Sequence, residues 1–109
     1  MQEKTRVELI KTRAGIVPSH VIVNGSMYTI LYTMGISMKI KSEKEFLKFV
    51  TDSIVRHASG DWGDLDQEDK ECNDRNPSSA MSTYVFDEDN KIWIKTEMDR
   101  IIVLFPEEY

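Results

Sequence analysis

The dipeptide Asn24-Gly25 is the feature of this sequence that most constrains the fold. Both residue types tolerate the positive φ that the two central positions of a type I′ turn require. Apolar and β-branched residues flank the dipeptide over 20–23 and 26–34, so the pattern predicts a β-hairpin. Alternate residues of a strand share one face of the sheet. We expect the core face of the second strand to consist of Tyr28, Ile30, Tyr32 and Met34.

A long helix is predicted after this hairpin. Ser42 and Glu45 match a capping box, in which the two side chains satisfy each other's backbone amides. The apolar residues that follow recur at intervals of three and four, which indicates a helix with one buried stripe. That stripe consists of Phe46, Leu47, Phe49, Val50 and Ile54. Arg56 and His57 are expected as cations in the last turn of this helix, with Gly60 as the left-handed stop. The helix would then bring His57 to the rim of the loop that follows.

A second helix and further strands complete the predicted fold. Asp66 has the position of an N-cap for a short helix that ends near Arg75. Strands are predicted over 80–86, 91–96 and 101–105, a weaker one over 6–11, and a connection over 13–18. We therefore expect a single domain over residues 1–109. Its predicted class is α+β, with a single antiparallel sheet of about five strands and one long and one short helix.

Composition narrows the class of protein. The chain has 109 residues, of which 40% are hydrophobic and 30% charged, an ordinary balance for a globular domain. The single Cys72 excludes an internal disulfide framework and is typical of a reducing compartment. The longest apolar run is too short to cross a bilayer, and the first residues lack the apolar stretch of a secretory signal. We expect a cytoplasmic protein with no membrane contact.

Charge is distributed unevenly along the chain. Residues 1–56 carry nine Lys or Arg and five Asp or Glu, whereas residues 57–109 carry five and fourteen. An acidic surface attracts cationic patches on proteins and repels nucleic-acid phosphates. The sequence therefore favours a protein partner with a basic surface over direct binding of nucleic acid. No glycine-rich phosphate loop is present, and we expect no cofactor.

Chemistry-bearing residues concentrate just after the long helix, in residues 57–66 (His-Ala-Ser-Gly-Asp-Trp-Gly-Asp-Leu-Asp). Polar loops held by a rigid scaffold are frequent binding sites. Trp is enriched at interface hot spots, so an exposed Trp62 amid carboxylates predicts a docking surface for a protein. The candidate partner-binding residues are Asp61, Trp62, Asp64, Asp66, Glu68 and Asp69.

Two alternatives to a docking surface remain open for this loop. One is a divalent-metal site, because carboxylates and imidazole are suitable metal ligands. Such a site would make the protein a small metal-dependent hydrolase or nuclease that uses His57, Asp61, Asp64 and Asp66. In the other alternative each residue has a local structural role, with the indole buried as a loop anchor. Self-association through the hairpin edge, and hence a homodimer, is a further possibility.

The second half of the chain also carries a specific string of motifs. They are His57, Ser59-Gly60-Asp61-Trp62-Gly63-Asp64, Glu68-Asp69, Asn73-Asp74, Ser82 with Tyr84, Lys91-Ile92-Trp93-Ile94, Thr96-Glu97, Asp99-Arg100 and Val103-Leu104-Phe105-Pro106-Glu107-Glu108-Tyr109. Over residues 56–109 these motifs resemble a family of short, uncharacterised bacterial proteins of plasmids, phages and other mobile elements. This chain has fewer polar residues before its last strand than that family has.

The resemblance implies a bacterial host and a mobile-element setting. It supplies no enzymatic activity that could be carried over to this chain. In that setting small acidic proteins that blunt host defence are expected, such as inhibitors of restriction or CRISPR nucleases, because nucleases present cationic grooves. The sequence thus favours a non-enzymatic accessory protein that binds a protein partner through an acidic surface.

Overall fold

A computed structural model describes residues 5–12 and 17–109 as one α+β unit. Six strands form the sheet: β1 Val7–Lys11, β2 Pro18–Val23, β3 Ser26–Tyr32, β4 Met81–Val85, β5 Lys91–Glu97 and β6 Arg100–Leu104. Three α-helices lie between β3 and β4: α1 Met34–Ser42, α2 Lys44–Ala58 and α3 Gln67–Arg75. Short 3₁₀ helices occupy Pro77–Ser79 and Pro106–Glu108. Most of the connection predicted over 13–18 lies outside the described residues.

The sheet is mixed, and the predicted single antiparallel sheet of about five strands is wrong. Its strand order is β1-β2-β3-β6-β5-β4, and β3 pairs with β6 in parallel while every other pair is antiparallel. Each half of the sheet is an antiparallel meander of three strands, as hairpin patterns predict. The two halves are joined by the pairing of β3 with β6. Local turn patterns carry no information about the relative direction of two strands that are far apart in the chain.

The predicted hairpin is confirmed. Asn24 and Gly25 have φ values of 50° and 88°, and the adjacent residues Val23 and Ser26 are paired across the two strands. Tyr28, Ile30 and Tyr32 pack with the hydrophobic core, as the alternation predicts.

The chain forms two helices where the sequence predicted only one, so the total is three rather than two. Met34, assigned to the strand face, is instead the first residue of α1 and is 78% exposed. Ser42 ends α1, and its hydroxyl donates to the Lys39 carbonyl rather than capping α2. The N-cap of α2 is Glu43, whose extended backbone separates the two helices and whose side chain makes no capping bond. The predicted capping box is therefore wrong.

A remote residue caps α1. The carboxylate of Glu108 accepts hydrogen bonds from the Thr33 hydroxyl at 2.6 Å and from the Gly35 amide at 3.0 Å. Thr33 is the N-cap of α1, and its own side chain makes no capping bond. A tertiary contact thus supplies the acceptor that a local N-cap side chain normally provides.

Helix α2 covers one face of the sheet. Its buried residues are Phe46, Leu47, Val50, Ser53, Ile54 and His57. The apolar members of this set belong to one core with inward-facing residues of the sheet, among which Ile92, Ile94 and Val103 are fully buried. Phe46 also contacts the rings of Phe86 and Phe105 at centroid distances of 5.2 and 5.9 Å. Among the residues that the structure describes, none of the helices is both long and apolar enough to cross a lipid bilayer.

Candidate functional site

The loop after α2 covers the outer edge of strand β4. Ala80 accepts a hydrogen bond from Thr96 of β5, so the alternation of amides directs the backbone groups of Met81 and Thr83 away from the sheet. The Thr83 amide donates to the Trp62 carbonyl at 3.4 Å, and the Asp64 amide donates to the Thr83 carbonyl at 2.8 Å. An exposed strand edge invites pairing with other chains, and this loop blocks that pairing.

Asn73 of α3 covers Met81, the next outward-facing residue along the same edge of β4. Its side-chain nitrogen donates to the Met81 carbonyl at 2.8 Å, and the Met81 amide donates to its side-chain oxygen at 3.3 Å. A side-chain amide therefore replaces a neighbouring strand at this position. The sequence analysis missed Asn73, because its partner is defined only by the packing of α3 against β4.

Gly63 brings the loop into contact with the strand. It has a φ of 72° and forms a bridge with Thr83. A Cβ atom at this position would lie 1.9 Å from the Thr83 carbonyl oxygen. Only glycine fits, because other residues would both clash and adopt an unfavourable backbone conformation.

His57 is a buried, neutral residue rather than a cation at the rim of the loop. Its side chain is 3% exposed; Nδ1 lies 2.6 Å from the Ser82 hydroxyl, and Nε2 lies 2.7 Å from the Thr96 hydroxyl. Burial lowers the pKa of His57 to about 4. Sequence analysis could have placed it correctly, since His57 lies three positions after Ile54 and continues the apolar stripe of α2.

Trp62 is also buried, which differs from its expected role as an exposed anchor for a partner. The residue is 7% exposed, and its ring meets that of His57 edge-on at a centroid distance of 5.4 Å. The indole nitrogen donates to Asp74 Oδ1 at 2.8 Å. The ring is therefore an internal anchor of the loop, which is the local structural role that the sequence left open as an alternative.

Asp61 is bound within the protein. Its carboxylate accepts two hydrogen bonds from the Arg56 guanidinium, at 2.7 and 3.1 Å, and one from the Gly63 amide at 3.2 Å. The hydrogen bonds from Arg56 hold the pKa of Asp61 below its ordinary value. The Asp61 carbonyl accepts the Tyr84 hydroxyl at 2.6 Å. Asp61 thus fixes the loop to α2 and to β4.

The other predicted docking residues lie around the start of α3. Asp66 is the N-cap of this helix, as predicted, and its side chain accepts from the Asp69 amide at 2.9 Å. The carboxylates of Asp64, Glu68 and Asp69 are exposed, and none of them makes an ion pair with a described residue. Asp61 and Asp66 are exposed as well, but their carboxylates accept hydrogen bonds from within the chain.

The residues of the metal alternative are not assembled into a site. No group of three or more His, Cys, Asp or Glu side chains within 5–12 and 17–109 is placed to hold a metal ion. Both ring nitrogens of His57 already contact hydroxyls. The carboxylate of Asp61 accepts hydrogen bonds from the Arg56 guanidinium. A hydrolase or nuclease mechanism that uses His57, Asp61, Asp64 and Asp66 therefore has no geometric support.

Comparisons of the chain with models of protein families, with curated proteins and with solved structures find no match.

Proposed function

We propose that this chain is a non-enzymatic binding protein whose acidic surface docks onto a basic surface of another protein. The docking surface, here called the α3 acidic surface, consists of Asp64, Asp66, Glu68 and Asp69. The observation that carries the proposal is that α3 buries none of its side chains and yet is held in place at defined points.

The segment that forms α3 would not be a stable helix in isolation. Short isolated helices are marginal in water, and most helices in proteins are stabilised by burying an apolar face. This helix lacks such a face, and it is instead held by the Asp66 cap, the Asn73 bonds to β4 and the bond from Trp62 to Asp74. The chain thus uses three polar contacts to present a rigid acidic surface to solvent.

The charge of the surface indicates its partner. The exposed carboxylates at the N-terminal end of α3 make no ion pair within residues 5–12 and 17–109. They can steer a cationic surface toward them and raise the rate of association. Nucleases present such cationic surfaces, and the mobile-element setting that the sequence motifs imply makes a host defence nuclease the specific partner that we propose. Inhibition would follow from occupation of the groove that otherwise binds nucleic-acid phosphate.

Charge reversal tests this proposal. The partner is first captured from a bacterial lysate on the immobilised native chain and identified, and its association rate is then measured with the purified proteins. The double variant Asp64→Lys with Glu68→Lys should associate at least about tenfold more slowly at low salt, and the difference should shrink as ionic strength rises. Asp66 is left unchanged because its side chain caps the helix.

The matched control places the same charge change elsewhere on the acidic half. Glu88→Lys with Asp89→Lys, in the exposed turn between β4 and β5, should leave the association rate close to that of the native chain. Equal slowing by both double variants would show that only net charge matters, which contradicts a defined docking surface. An unchanged rate in the α3 variant would also contradict it.

A second candidate function is self-association. The predicted hairpin edge is not free for it, because β2 pairs with β1 and β3 pairs with β6. The unequal protection of the two outer edges of the sheet favours pairing through β1 instead. The Arg6 carbonyl accepts from Asn24 next to β2, so the alternation of amides directs the backbone groups of Val7 and Leu9 outward. No described residue bonds to these groups, whereas Met81 and Thr83 at the other edge are covered. A second copy of β1 could pair with them as an additional strand.

Sedimentation equilibrium tests this second candidate. Lysine on an edge strand opposes pairing, so Ile10→Lys, at a side chain that is 37% exposed, should weaken a dimer at least about tenfold. Val85→Lys, at an exposed position on the opposite edge strand, should leave the dimer intact. A native chain that sediments as a monomer at every concentration tested would refute self-association.

A further inference from the structure

A cavity of about 200 Å³ lies beyond the C-terminal end of α2. Its floor is the core face of the sheet, formed by Val23, Tyr28 and Ile101. One wall is formed by His57, Ala58 and Trp62, which belong to the segment that the sequence analysis singled out. Pro77 and Ser78 of the first 3₁₀ helix also line the cavity, and Thr96 adds a hydroxyl.

The cavity exists because α2 is shorter than the sheet it covers. Gly60, with a φ of 84°, helps to turn the chain away after Ala58, and the chain then runs to the outer edge of β4. The core face at Tyr28 and Ile101 continues past the end of the helix. Trp62 fills only part of the space that remains.

Two residues of the lining, Tyr28 and Thr96, carry hydroxyls with spare hydrogen-bonding capacity. Tyr32 and Tyr84 both donate their hydroxyls to backbone carbonyls, at 2.6 Å, whereas the hydroxyl of Tyr28 has no partner among the described residues. Thr96 contacts His57 through its hydroxyl, and a hydroxyl that makes one such contact keeps a further donor or acceptor position. A bound molecule could therefore find at least two polar contacts.

The lining carries no charged side chain at neutral pH. None of its residues is acidic, Lys or Arg, and burial lowers the pKa of His57 to about 4, so the imidazole is neutral. An ionised ligand would lose hydration here without gaining an ion pair. Apolar pockets with a few convergent polar groups and a perturbed titratable residue are the usual form of small-molecule sites.

We propose that this cavity is a binding site for a small neutral molecule with an apolar ring or chain and one hydrogen-bonding group. The ring or chain would lie against Val23, Ile101 and Trp62, and the polar group would meet the hydroxyls of Thr96 and Tyr28. The volume accommodates a ligand about the size of one aromatic ring. The site is separate from the α3 acidic surface and does not depend on the proposed partner.

Nuclear magnetic resonance titration with phenol tests the site, because phenol combines one ring with one hydroxyl. We expect saturable shifts confined to the amides of residues around the cavity and to the Trp62 indole, with a Kd on the order of 1 mM for so small a ligand. Benzoate has the same ring with a negative charge and should bind at least about tenfold more weakly. Benzene, which lacks the hydroxyl, should bind at the same place but less tightly than phenol.

Two variants place a larger side chain in the lining of the cavity, each on a different element. Ala58→Leu and Ser78→Leu should each weaken phenol binding at least about tenfold, and the second keeps the test valid if the first does not fold. Ser59→Leu is the matched control, because Ser59 is exposed and lies next to the wall but outside the lining. Phenol shifts that do not saturate, that persist in the filled variants, or that benzoate reproduces would overturn the proposal.

Discussion

The indole nitrogen of Trp62 donates to Asp74 at 2.8 Å, and this bond joins a buried ring of the loop to the last turn of α3. Through it the acidic helix is connected to the hydrophobic core, which none of the helix's own side chains enters. The residues of the predicted docking loop therefore have two different roles. Its buried members hold α3 in position, and its exposed carboxylates form the surface that a partner can reach.

The close approach of Gly63 to β4 predicts a large effect of a small substitution. Gly63→Ala should lower the free energy of unfolding by roughly 3 kcal/mol, because it adds both a clash with the Thr83 carbonyl and a strained positive φ. Urea unfolding followed by circular dichroism measures the change. Gly25→Ala is the control: its φ of 88° is equally unfavourable, but no atom lies within 4 Å of the added Cβ, so the loss should be about 1 kcal/mol.

The neutral state of His57 predicts that stability falls on mild acidification. Its pKa is about 4 in the folded protein and 6.5 ordinarily, so the unfolded chain binds the proton more readily. The contribution of His57 is fully present above pH 6.5 and is lost as the pH falls toward 4. The total loss should be about 3 kcal/mol. Urea unfolding at a series of pH values measures it.

The variant His57→Gln isolates that contribution. Glutamine does not titrate, so the variant should be less stable than the native chain at pH 7, and its stability should change much less between pH 6.5 and 4. A native chain with the same pH profile as the variant would show that His57 is not buried in its neutral form.

The buried position of Trp62 is directly measurable by fluorescence. In a Trp93→Phe variant only Trp62 emits, and its emission should be blue-shifted and resistant to quenching by acrylamide, because the residue is only 7% exposed. A Trp62→Phe variant reports on Trp93, which is half-buried, and its emission should be quenched more strongly. Quenching of Trp62 as strong as that of free tryptophan would restore the ring as a candidate contact for a partner.

Several parts of this fold could be predicted because their signals are local. Asn24-Gly25 carries its turn geometry within two residues, and the N-cap Asp66 lies three residues before the amide that it binds. The start of α1 could not be predicted in this way, since its cap is supplied by Glu108 from the end of the chain. Local patterns also gave no information about the parallel pairing of β3 with β6.

The sequence indicated the loop as a candidate site and predicted the N-cap role of Asp66, but it did not establish the roles of His57 and Trp62. Carboxylates and an indole on a short loop are compatible with docking, metal binding and internal support, because composition does not reveal which side chains face inward. The partners that decide the matter are distant in sequence: Ser82 and Thr96 for His57, and Asp74 for Trp62. The periodicity of α2 contains one signal that was not used, because continuing the apolar stripe by three positions beyond Ile54 would have predicted that His57 is buried.

The cover over β4 predicts how its edge responds when one contact is removed. In Asn73→Ala the amide of Met81 loses its partner, so native-state hydrogen exchange at that amide should accelerate at least about tenfold and the free energy of unfolding should fall by about 1–2 kcal/mol. Asn76→Ala is the control, because the Asn76 side chain makes only a long 3.5 Å contact to the Cys72 carbonyl. Exposure of the edge should also raise the tendency of the variant to associate at high concentration, which light scattering can follow. Unchanged exchange at Met81 would mean that the strand edge is protected without the side chain of Asn73, and the supporting role given to α3 would then fail.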